Sequence, residues 1–91
     1  MLERKEGKKG TTVTFVLPQD AGQDIVSVVG DFNDWSPGEH AFQARPDGTR
    51  AVSVLLPAGS VCAFRYLGED GRWFDEPEPD AHDGVNGYIH A

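Results

Sequence analysis

Turns built on glycine and proline break this chain every eight to twelve residues, which leaves no room for a helix of useful length and matches the spacing of an all-β sandwich. The 91 residues include eleven Gly and six Pro. Between the turns, apolar residues recur at every second position, the period of a strand with one buried face. Thr11–Leu17 sets Val13, Phe15 and Leu17 on one side and Thr12 and Thr14 on the other, and Pro18 stops it. In Ile25–Val29, Val26 and Val28 share a face and Gly30 ends the run. A short strand at Ala41–Arg45 leads into the turn Pro46-Asp47-Gly48, after which Val52, Val54 and Leu56 align on one side of Arg50–Leu56. Val61–Leu67 pairs Phe64 with Tyr66 and turns Arg65 outward; Glu69-Asp70-Gly71 reads as a hairpin tip before Arg72–Asp75, and Val85–Ala91 closes the chain. The pattern predicts about seven short antiparallel strands in two packed sheets.

Charge narrows the function. Eight Lys and Arg face fifteen Asp and Glu, a net charge of −7. Such a chain repels a phosphate backbone or an anionic membrane surface, so neither nucleic acid nor membrane is expected as a partner. Residues 1–10, MLERKEGKKG, read as a flexible charged tail, with one folded domain over 11–91. Cys62 is the single cysteine, which rules out an internal disulfide and a thiolate-rich zinc site. With no apolar run suited to a signal sequence, the expected location is cytoplasmic.

Four features stand out from the scaffold. Trp35 follows the tight loop Gly30-Asp31-Phe32-Asn33-Asp34 and is either a lid over the sandwich end or a ring offered to a ligand. Trp73 and Phe74 are strand neighbours, so one points in; Phe74 is assigned inward and Trp73 outward, because indole carries a polar N–H. Arg65 faces outward, either solvated or paired with one of the many acids nearby. Asn86-Gly87 is a turn signal and also supplies an amide. Together these describe two flat rings, a guanidinium and an amide on an acidic sandwich. That combination suits a neutral pyranose: indole covers its C–H face, and Arg and Asn donate to its hydroxyls.

The ordered set Gly30-Asp31-Phe32-Asn33-Asp34-Trp35, Leu56-Pro57-Ala58-Gly59, Phe64-Arg65-Tyr66 with Asp70-Gly71-Arg72-Trp73, and Val85-Asn86 resembles carbohydrate-binding module family 48. That family includes the isoamylase N-terminal (early-set) domains of glycogen-branching and debranching enzymes and the glycogen-binding domain of the AMP-activated kinase beta subunit. The resemblance covers roughly 11–91. It implies an immunoglobulin-like β-sandwich that binds α-1,4-linked glucan such as glycogen or starch without cleaving it. It further implies that Trp35 and Trp73 stack on glucose rings and that Arg65 and Asn86 bond hydroxyls. His82 stands where a bulky apolar residue makes a further sugar contact.

No catalytic residue, cofactor or metal is expected. Asp75, Glu76, Glu78, Asp80 and Asp83 are plentiful acids, but a glycosidase pair needs a cleft and a set carboxyl separation, and this run is broken by Pro77 and Pro79. The competing expectation is a protein-interaction or assembly module, with sugar binding lost, of a glycogen-metabolising enzyme such as a glycoside hydrolase, or of a kinase complex. Trp35 and Trp73 would then be anchors for another chain.

Overall fold

In the computed structural model, residues 2–18, 25–68, 71–77 and 79–91 are described, and among them the only regular structure besides strands is one 3₁₀ turn, Asp31–Asn33. The strands are β1 (Leu2–Gly7), β2 (Gly10–Leu17), β3 (Val26–Gly30), β4 (Gln43–Ala44), β5 (Arg50–Leu56), β6 (Val61–Gly68), β7 (Trp73–Phe74), β8 (Ala81–His82) and β9 (Gly87–His90). They form two antiparallel sheets, one ordered β1-β2-β5-β4 and the other β3-β6-β9-β8, with β7 joined to β6 beyond the end of β9. The expected all-β sandwich is therefore present. No helix among the described residues is long and apolar enough to cross a membrane.

Alternation places the core as the sequence suggests. Val13, Phe15 and Leu17 of β2 and Val54 and Leu56 of β5 face Val26 and Val28 of β3, Phe64 and Tyr66 of β6 and Ile89 of β9. On the opposite face of the first sheet, the cross-strand pair Thr14–Ser53 joins its hydroxyls at 2.8 Å. Aromatic rings meet at the centre of the core. Phe15 meets Phe64 at 5.2 Å between centroids, and Tyr66 takes Phe42 and Phe74 edge-on, each at 5.4 Å. Cys62 is buried, and burial pushes its thiol up.

Three expectations are corrected. The segment read as a flexible charged tail is largely a strand: Leu2–Gly7 pairs residue for residue with β2, from Leu2 opposite Phe15 to Gly7 opposite Gly10. Its side chains are mostly in water, as suits an edge strand protected by charge, and that is why its composition resembles a tail. Leu2 packs on the core, and Arg4 bonds Asp80, tying the edge of one sheet to the flank of the other. The strand expected at Ala41–Arg45 instead changes sheets. Ala41 bridges Ser27 of β3, and Gln43–Ala44 pairs with β5. Finally, the acidic run after β7 is not wholly solvated. Glu76 is 3 % exposed and accepts a hydrogen bond from the Tyr66 hydroxyl at 3.1 Å. Burial, with the Glu76 charge adding to it, drives the Tyr66 phenol far above its ordinary range. Glu69 and Asp70 of the expected hairpin tip, and Glu78 of the acidic run, lie outside the described residues.

Candidate functional site

Residues paired across a sheet point to the same side, so the register fixes which side chains share the outer face of the five-stranded sheet. Phe64 and Tyr66 point into the core, which turns Ala63, Arg65 and Leu67 of β6 outward. Leu67 lies between Ser27 and Trp73, Arg65 lies opposite Val29, and Ala63 lies opposite Tyr88. Phe74 packs on the core while Trp73 is 43 % exposed, as the polar N–H of indole suggests. Beside the Ser27–Leu67 pair, a shallow groove of about 320 Å³ runs under Pro37 and Gly38 and past Ile25.

Arg65, Trp73 and His82 are brought together by an acid that the sequence reading left in the solvated run. Arg65 Nε donates to Asp75 Oδ1 at 2.9 Å, and its guanidinium carbon lies 5.5 Å from the centre of the Trp73 ring. On the other carboxylate oxygen, His82 Nε2 lies 3.3 Å from Asp75 Oδ2. Of the two readings of Arg65, the paired one holds. Strand alternation carried the signal for Asp75, since a residue two places after an outward Trp73 returns to the same face.

Trp35 is held separately, at the Gly30 end of the sheet. Asn33 is buried and knots the loop: its Oδ1 accepts from Gly30 N at 3.0 Å, and its Nδ2 donates to Val28 O at 3.1 Å and lies 2.9 Å from His40 Nδ1. Asp34 and Trp35 both take left-handed backbone conformations, with φ of 54° and 57°. A bulky side chain rarely adopts this region, and such strain collects at working sites. It is sustained here because Trp35 N donates to Gly30 O at 2.9 Å and the indole Nε1 to Asp31 Oδ1 at 3.1 Å. Asp31 Oδ2 in turn accepts from Ala63 N at 2.9 Å, so Trp35 is moored at the level of Ala63 and Trp73 stands at the level of Leu67. Four residues of strand separate those levels, about 13 Å at about 3.3 Å per residue. Arg65 lies between them.

Asn86 belongs to a turn organised by Asp83, whose Oδ1 accepts from Val85 N at 2.8 Å and Asn86 N at 2.7 Å and whose Oδ2 accepts from the Tyr88 hydroxyl at 2.7 Å. The Asn86 N–H is the largest of these influences, and together they hold the Asp83 carboxyl down to about 2. Because the folded value lies below the ordinary one, ionised Asp83 favours the turn at any pH above about 4. That contribution is lost as pH falls from there through about 2. A carboxyl ¹³C titration should show Asp83 with its midpoint near the lower figure; a midpoint near 4 refutes the turn's hold on it.

Among the described residues, no three His, Cys, Asp or Glu side chains converge to hold a metal ion. What this face presents is an exposed indole with a guanidinium held beside it; the second indole, Trp35, is half-buried and moored at the Gly30 end of the same sheet.

No family model matches the chain. It is similar to the 1,4-alpha-glucan branching enzyme GlgB of Aquifex aeolicus, 31 % identical over 74 residues, which is 79 % of this chain and 12 % of the relative. The chain thus spans about an eighth of that enzyme's length.

Proposed function

We propose that the outer face of the five-stranded sheet binds α-1,4-linked glucan without cleaving it, as a carbohydrate-binding module of family 48 does. The observation that carries this reading is Trp73, 43 % exposed with the Arg65 guanidinium beside its ring. The indole covers the C–H face of one glucose, and the Arg65 N–H groups left over from Asp75 reach hydroxyls at its rim. Trp35, further along the sheet, takes another ring of the same chain. The register, which makes Trp73 a neighbour of the groove beside Leu67, is consistent with an elongated ligand. Similarity to a stretch of an α-glucan branching enzyme supports the same substrate class. In that context the domain holds polymer near a catalytic partner in a larger protein of glycogen metabolism.

Electrophoresis in native gels cast with amylopectin tests this. The protein is expected to be retarded relative to a polymer-free gel, and equally so at low and high salt, because a neutral glucan forms no ion pair to be screened. Unchanged migration overturns the proposal and favours the protein-interaction reading. Retardation that vanishes with salt points to a charged contaminant of the polymer.

A further inference from the structure

We infer that Asp75 is a positioning residue for this glucan site, acting through Arg65; the inference rests on the proposed function. A free Arg side chain samples many rotamers and pays for its ordering when it binds, at about 0.5–1.5 kcal/mol for a rotamer-rich side chain. Here that ordering is done in advance. Phe74 lies opposite Tyr66, so the residue after it emerges beside Arg65 on the outer face. Asp75 Oδ1 takes Arg65 Nε at 2.9 Å, which fixes the plane of the guanidinium, and its carbon lies 5.5 Å from the Trp73 ring centre. His82 Nε2, 3.3 Å from Oδ2, braces the carboxylate from β8. His82, one of the residues expected to contact sugar, is thus engaged with the acid that orients Arg65.

The pair is not a structural necessity. Arg65 and Asp75 side chains are 27 % and 38 % exposed, and pairs so open to water contribute little to stability. Function and folding therefore separate cleanly in the test. In the full chain, Asp75→Ala is expected to weaken amylopectin binding roughly 3- to 10-fold, the factor that corresponds to ordering one such side chain. Asp75→Asn keeps an acceptor for Arg65 Nε and should recover to within about two-fold of wild type. The double variant Arg65→Ala/Asp75→Ala should bind no more weakly than Arg65→Ala alone, because Asp75 has no role once the guanidinium is gone. Losses that multiply in the double variant, or Asp75→Ala binding as well as wild type or better, overturn the inference.

One readout needs no ligand. In a Trp35→Phe background, Asp75→Ala should shift the Trp73 emission as Arg65 leaves the ring; unchanged emission overturns the inference whatever the binding shows. If wild type itself ignores the polymer, the glucan reading fails and this inference falls with it. A retarded wild type with an insensitive Asp75→Ala removes Asp75 alone.

Discussion

Trp73→Ala is expected to bind amylopectin about 2 kcal/mol more weakly than wild type, roughly 30-fold, while melting within about 3 °C of it. The asymmetry follows from where the ring sits. Phe74 occupies the core position of β7 against Tyr66, at 5.4 Å between ring centroids, so the sheet keeps its packing when Trp73 is truncated. The indole is 43 % exposed and lies outside the core cluster, so its truncation opens no cavity between the sheets. Its loss to a ligand is the larger effect, because a rigid flat ring covers a sugar face at small entropic cost and no neighbour replaces it. Arg65 stays paired with Asp75 but has no ring left to lie beside. Affinity electrophoresis and a thermal scan on the same sample separate the outcomes. A large fall in melting temperature makes Trp73 a structural residue. Unimpaired retardation moves the site off this face.

How far the sequence foresees this arrangement depends on what kind of information fixes each part. Alternation alone orients β2, β5 and β6, because each sets one face in a core of Phe15, Phe64 and Tyr66. The same rule points Trp73 and Arg65 outward. It is blind to β1, whose partner is the backbone of β2 and whose charged side chains read as solvent whether the chain is paired or not. It is equally blind to β8, two exposed residues held by their register against Tyr88 and Gly87 rather than by burial. Glu76 defeats it for the opposite reason: a carboxylate among Pro77 and other acids looks solvated until Tyr66 is found above it. At the site, the residue types were legible but the fixings were not. Asp31 holds Trp35 only because two successive residues turn left-handed, and Asp75 meets His82 only because β8 pairs with β9 on the same sheet.

That left-handed loop depends on a glycine chosen for space rather than for backbone freedom, and Gly30→Ala should lower the melting temperature by roughly 10–20 °C, a loss of about 2–3 kcal/mol. The backbone at Gly30 is fully extended, with φ of −176°, so any residue adopts it without strain. A methyl group there overlaps the Ala63 carbonyl oxygen and comes to 2.8 Å from Phe32 Cε2 and 3.1 Å from Phe64 Cβ. Phe32 can rotate; the Ala63 carbonyl belongs to the central strand β6 and cannot move without opening the sheet. The end of β3 must therefore part from β6 at the Gly30–Phe64 pair. Gly30 also donates its N–H to Asn33 Oδ1 and accepts from Trp35 N through its carbonyl, so the displacement loosens both bonds that hold the Trp35 turn. The substitution is expected to impair glucan binding even at temperatures where the protein is folded, and to alter Trp35 emission in a Trp73→Phe background. Stability loss with Trp35 emission and binding intact would mean that the turn is held independently of Gly30. A melting temperature within about 3 °C of wild type would mean that β3 and β6 do not approach this closely, and the outer face would lose the register on which the site is built.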